Sequence, residues 1–249
     1  MAIIKKKGKY VAGAYSKHSP DAFMLAIQYI EALEKKHPKR KGAETEKIAP
    51  VICFSRKIGG GALEIADILA RKIQLPVVDR EILEHIAQDL TLSKETIEFF
   101  DERYPGKIAE LAKMLVGEKS FIMSDYIKSF VSAVFTFADR GSTIFVGRGT
   151  HLILPRDRVL AVRVICSNEV RIKRLAAILD IEELEAKKLL GQIDREQREF
   201  FKKAFGKKEA SPYEFDLIIN CDHLTEPQSA AEIVAQAFRE KFAFEGTVK

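Results

Sequence analysis

Val51-Ile52-Cys53-Phe54-Ser55-Arg56-Lys57-Ile58-Gly59-Gly60-Gly61-Ala62-Leu63 is the stretch that decides how the rest of the chain is read. Residues 51–55 form a short apolar run of the kind found in strands covered on both faces. Three glycines follow, and then Leu63, Ala66, Leu69, Ala70 and Ile73 recur at helical spacing. Gln74-Leu75-Pro76 breaks that helix, and Val77-Val78-Asp79 reads as a second short strand. The stretch is therefore a βαβ unit with a glycine-rich first turn. Glycines let a backbone turn tightly and aim successive N–H groups inward, and a helix N-terminus adds a positive dipole end. This predicts a phosphate-binding turn; the plainer alternative is a tight turn whose glycines serve packing.

Working outward, residues 80–140 are almost entirely helical in pattern. Ile82, Leu83, Ile86 and Ala87 make one stripe, Ser93 with Thr96 and Ile97 starts another, and 120–138 is long and apolar, stopping at Gly141. Residues 143–147, 159–166 and 216–220 are three more buried strands, and 169–179, 181–205 and 227–242 are helices. Continuously apolar strands separated by helices predict an α/β fold with a five-stranded parallel sheet covered on both faces. Ahead of it, residues 1–47 read as a basic appendage. Ser19-Pro20 opens one helix there, Phe23, Ile27, Ile30 and Leu33 form its apolar stripe, and His37-Pro38 ends it.

Residues 1–50 carry 11 Lys+Arg against 5 Asp+Glu, and the remainder carries 30 against 31, so the net charge of +5 resides in the appendage. A nucleic-acid protein more often spreads its basic residues over a folded face, which argues against that class. No apolar run approaches the roughly 20 residues of a membrane span, and the N-terminus lacks a secretory signal's apolar core. Three scattered cysteines, Cys53, Cys166 and Cys221, and five unpaired histidines offer neither a disulfide scaffold nor a metal site. A reducing, cytoplasmic location is expected. The apolar helix at 20–34 is suited to dock on a second subunit, so a homodimer is compatible with the sequence.

Several residues have the chemistry and position to handle phosphates. Arg148 lies just beyond the third strand, at the carboxyl edge where open α/β sheets bind ligands, and is suited to grip a phosphate or to form a salt bridge. Arg171 and Arg174 share one helix face, directed at phosphates or at solvent. Asp194 and Arg198 are four apart, spaced to pair with each other or to serve the site. Asp79 ends a strand, as a ligand-binding group or as the cap of a helix starting at Arg80.

Taken in order, these residues resemble the cytidylate kinase-like family, on the P-loop nucleoside monophosphate kinase fold. The resemblance rests on Ser55-Arg56-x-x-Gly59-x-Gly61 with Glu64-Ile65-Ala66, on Asp79-Arg80-Glu81-Ile82 and on Val146-Gly147-Arg148-Gly149. It continues through Arg171 and Arg174, Asp194-x-x-x-Arg198 and Phe215-Asp216-Leu217-x-x-Asn220, covering about residues 48–242. It implies a three-layer P-loop domain over 48–245, with a helical acceptor-binding region at 80–140 and a lid region at 180–212. It implies ATP with Mg2+ as donor and CMP, dCMP or a related small acceptor. Ser55, Arg56, Lys57, Ile58, Gly59, Gly60, Gly61 and Ala62 would wrap the donor phosphates. Asp79, Arg148, Arg174 and Asp194 would border the acceptor, and Lys57, Arg148, Arg195 and Arg198 would supply charge to the transferring phosphate.

The chain departs from the pattern in three places. A full P-loop reads G-x-x-x-x-G-K-[ST], where this chain has Ala62 and Leu63; the family commonly keeps an arginine at the position of Leu63. Cytidylate kinases also carry an acidic residue where this chain has Val146. Because electrostatic stabilisation is the main catalytic term in such sites, two functions stay open: phosphoryl transfer, or nucleotide and phosphate binding with a regulatory role.

Overall fold

The computed structural model describes residues 48–80, 82–83 and 125–243. The appendage over 1–47, the stripe at Ile86 and Ala87, the helix starting at Ser93 and residues 244–245 lie outside the described residues. Five strands form: β1 (Val51–Arg56), β2 (Val77–Asp79), β3 (Ile144–Val146), β4 (Val159–Ile165) and β5 (Leu217–Asn220). All pairings are parallel, in the order β2-β3-β1-β4-β5. β1 lies at the centre and all six of its residues are buried, which is the physical reason its sequence stays apolar up to Ser55.

Helices cover both faces. α1 (Ala62–Ile73) and the C-terminal helix over 227–242 pack on one face. There Leu69, Ile73, Val234 and Phe238 meet Ile52, Phe54, Leu160 and Val162. On the other face α2 (Asp125–Arg140) and the long helix over 183–205 bring Phe130, Val134, Phe201 and Phe205 against Val51, Cys53, Phe145 and Val159. α3 (Asn168–Leu179), α4 (Glu183–Phe205) and α5 (Pro227–Phe242) complete the chain order. α3 and α4 form a helical pair with a small core of their own, Leu175, Ala186, Leu190 and Ile193, and Ile58 of the glycine turn is buried in it.

The parallel sheet and its two helical layers match the sequence reading; the ends differ by a residue or two. The helix predicted from 181 starts at Glu183. Asp180 has left-handed angles, and Ile181 donates to Ala176 O, so the chain turns before α4 begins. The fifth strand, predicted from 216, starts at Leu217. Asp216 instead fastens the opposite edge of the sheet: it accepts from Arg156 at 2.6 and 2.9 Å, from Lys241 at 2.9 and 3.0 Å and from the Ala161 N–H at 2.8 Å.

Partial burial pushes the Asp216 pKa up, but Arg156, the Ala161 N–H and Lys241 outweigh it and hold it below the usual value. A lowered folded pKa contributes stability above the ordinary carboxylate range and loses it as pH falls toward the folded value. Asp216→Asn should cost about 1 kcal/mol in urea unfolding at pH 7, the figure being modest because the cluster is partly exposed. The variant's stability should also vary less with pH below about 4.

Candidate functional site

The glycine turn joins β1 to α1. Its one internal backbone bond runs from the Gly60 N–H to Lys57 O, at 3.1 Å, and no backbone hydrogen bond in the turn uses the N–H of Ile58, Gly59, Gly61 or Ala62. Those groups precede or open a 12-residue helix, where N–H donors lack intrahelical partners. Gly59 and Gly61 have φ of 77° and 82°, in the left-handed region. At Gly59 a Cβ would also stand 2.7 Å from Arg171 O, so α3 approaches the turn at a distance only glycine permits. At Gly61 a Cβ would overlap the Arg174 guanidinium.

α3 and α4 hold the turn from behind. Arg171 is 1% exposed, and its Nε donates to Ile58 O at 2.8 Å. Its Nη1 and Nη2 grip Asp194 at 3.0 and 2.6 Å, and Nη1 also meets Asn168 Oδ1 at 2.8 Å. Gln197 adds a bond from Nε2 to Arg56 O at 2.8 Å. Two turn carbonyls are thus drawn toward α3 and α4.

Beside the turn lies a cleft lined by Arg56, Ile58, Arg80, Gly147, Arg148, Gln197 and Phe201. It opens at the carboxyl ends of β1, β2 and β3. Among the described lining residues three are arginines, Arg56, Arg80 and Arg148, a composition that suits an anion. Arg148 has a φ of 55°, a conformation that costs a non-glycine residue about 1–2 kcal/mol. Its guanidinium sits 4.1 Å from the centre of the Phe200 ring on α4, which holds it at the cleft by cation–π attraction. Asp79 is buried and accepts from the Ile82 N–H at 3.1 Å, so it does cap the helix that starts at Arg80.

The site residues read from sequence divide accordingly. Arg56, Ile58 and Arg148 meet at the cleft. Ser55 is buried behind it, its hydroxyl accepting from Arg163 Nη1 at 2.7 Å. Lys57, Arg195 and Arg198 are exposed. Asp194 pairs with Arg171 rather than with Arg198, because the α3–α4 packing puts Arg171 directly against it. Arg171 itself faces the turn's carbonyl and not a phosphate. Arg174 is half-buried against Gly61. Ala62 is 1% exposed and Leu63 is 9% exposed, both in the apolar cluster beneath α1, so only the backbone of these residues faces the turn's opening. Val146 is fully buried.

Sequence reasoning missed Gln197, Phe200 and Phe201 as parts of the site, and it used Arg80 as a helix start and a motif residue without assigning it to the site. On α4 all three belong to a helix rich in polar and aromatic residues, and no spacing rule separates them from their neighbours. His151 packs on Phe215, and burial pushes its pKa down to about 4 despite the Glu214 carboxylate 3.4 Å away.

A family model described as the cytidylate kinase-like family matches residues 51–223. No curated protein matches the sequence. Among solved structures, an uncharacterized protein from Eubacterium ventriosum is similar at 17% identity and a TM-score of 0.60, over 77% of this chain and 98% of that one. A shikimate kinase from Bacteroides thetaiotaomicron is 16% identical with a TM-score of 0.39, over 78% of this chain and 99% of that one. The first likeness shows the fold, a three-layer arrangement around a parallel sheet.

Removing the Arg171 side chain should test how the turn is held. Arg171→Met leaves Asp194 unpaired and Ile58 O without its donor, and should cost about 3 kcal/mol in chemical denaturation. Adding Asp194→Leu should recover part of that loss, as expected when one member of a buried pair is stranded.

Proposed function

The chain belongs to the cytidylate kinase-like family, and from that premise we propose that it transfers the γ-phosphoryl group of ATP to a pyrimidine nucleoside monophosphate such as CMP or dCMP. The observation that carries this reading is the pairing of an N–H-lined glycine turn with a cleft that holds three arginines among its described lining residues. Phosphoryl transfer is mostly positioning and charge stabilisation, and needs no protein nucleophile.

In this reading the N–H groups of Ile58, Gly59, Gly61 and Ala62 hold the donor phosphates, with the α1 dipole behind them. Lys57 and Arg174 add charge at the turn, where the apolar Ala62 and Leu63 supply none. Arg56, Arg80 and Arg148 take the acceptor phosphate and bring its oxygen in line with the γ-phosphorus. Arg195 and Arg198, exposed on α4, are within the lid region and reach toward the transferring group when nucleotide is bound.

The described residues do not form a protein-held magnesium site. Leu63 stands in place of a hydroxyl ligand, Val146 in place of an acidic one, and no cluster of three ligating side chains occurs among the described residues. In this reading the metal would enter with ATP, as part of the substrate, and would supply charge to the phosphates. Those two apolar replacements also favour a second reading, a binding protein on the same scaffold that senses nucleotide without turning it over.

A coupled ADP-release assay with MgATP and a panel of nucleoside monophosphates separates the two. Turnover highest with CMP or dCMP is expected, and Arg148→Ala should lower kcat by about a hundredfold while the protein stays folded. Nucleotide binding without turnover by any acceptor would select the second reading. No helix among the described residues is long and apolar enough to cross a membrane.

A further inference from the structure

Cys166 and Cys221 follow directly on β4 and β5, and the ladder between those strands runs on past them. Ile165 and Asn220 are register partners, and the Cys221 N–H donates to Ile165 O at 2.8 Å. One residue further on, the Ser167 N–H donates to both carboxylate oxygens of Asp222, at 2.9 and 3.0 Å. The two cysteines are thus bracketed by cross-strand hydrogen bonds on either side. Their side chains share one face of the sheet and pack on the same apolar cluster. Neighbouring strands place register partners about 4.8 Å apart, inside the Cα–Cα range of a disulfide.

We propose that Cys166 and Cys221 are an oxidation site that forms a reversible disulfide with hydrogen peroxide or a related hydroperoxide. Cys166 is the half-buried member and reacts first; Cys221, 5% exposed, resolves it. The Cys166 thiolate attacks one peroxide oxygen, the O–O bond breaks, and a sulfenic acid and hydroxide result. The Cys221 sulfur then attacks the Cys166 sulfur and expels its oxygen. One S–S bond has formed, both sulfurs are oxidised, the peroxide is reduced to two waters, and those waters carry the two thiol protons.

The third cysteine provides an internal contrast. Cys53 lies in the middle of β1, fully buried, and burial pushes its thiol up to about 12. Burial also raises both members of the pair. Asp222 and the neighbouring thiol raise Cys166 further, and Asp222 and Glu64 raise Cys221; Arg174 works against this at both, and Arg171 at Cys166. The pair is therefore protonated at neutral pH, and its oxidation accelerates as pH rises. Arg174 is close enough to the Cys221 thiol for its charge to lower that pKa, while its guanidinium lies against Gly61. Forming the disulfide moves that sulfur beside a cation of the glycine turn and so shifts the cation's surroundings, a consequence that rests on the phosphate-binding reading of the turn.

The full chain should be treated with peroxide, trapped with alkylating reagent, and mapped by mass spectrometry. Loss of two of its three thiols is expected, in one intramolecular crosslink joining the peptides of Cys166 and Cys221, reversed by dithiothreitol. Cys166→Ser and Cys221→Ser should each abolish the crosslink, and Cys53→Ser should leave it. Three intact thiols after peroxide, or crosslinks only between molecules, would overturn the proposal. Pyrophosphate titration of the same samples reads the coupling: oxidation should weaken binding by at least about threefold, and equal affinity overturns the coupling. If the reduced protein binds no pyrophosphate, the phosphate reading and the coupling fail together, while the thiol count still decides the bond.

Discussion

A buried guanidinium holds this site together. Taking a charge out of water is costly, and Arg171 is tolerated in the interior because its donors are engaged by Asp194, Asn168 and the carbonyl of Ile58. Those contacts tie together three pieces of chain that are distant in sequence: the glycine turn, the start of α3 and the middle of α4. The turn's shape depends on the arrangement. With Ile58 O drawn to Arg171 and Arg56 O to Gln197, the carbonyls are occupied on the α3–α4 side, and the N–H groups of the turn are left to meet a ligand. Gly59 completes the fit by letting the backbone of Arg171 approach within reach of the turn.

That arrangement also sorts the site's charges into two kinds. Arg171 is neutralised by Asp194 and serves structure. Arg56, Arg80 and Arg148 line the cleft, and Arg174 lies on the glycine that begins α1. This concentration of guanidinium groups is what the phosphate-binding proposal draws on. Leu63 and Val146 are apolar and buried, so in the proposed function the charge at the site comes from arginines carried on other elements. Arg148, held in a left-handed conformation and seated on Phe200, is the clearest case of local strain placed where charge is needed.

The sheet was legible in the sequence because parallel strands buried on both faces leave a plain signature, and each of the five was located to within one or two residues. The ends were less legible. Asp216 looks like the first residue of a strand until its carboxylate is seen between Arg156 and Lys241. The glycine turn and Arg148 could be found because glycine, strand end and helix start have distinct residue preferences. The partner of Asp194 could not. Helical spacing nominates Arg198, four residues away, whereas the actual partner comes from another helix through packing that one sequence does not encode locally. Gln197 and the Phe200–Phe201 pair were hidden for the same reason: their role depends on which face of α4 meets the turn.

The most direct test of the central claim is an amide NMR titration of the isotope-labelled full chain with ATP. If the turn is a phosphate cradle held open by Arg171, the largest shifts fall on the N–H signals of Ile58 to Ala62, with Arg148 and Gln197 following at the same nucleotide concentration. Shifts confined to other parts of the molecule, leaving Gly59 to Gly61 unmoved at saturation, would contradict the account and reduce the glycines to a packing device.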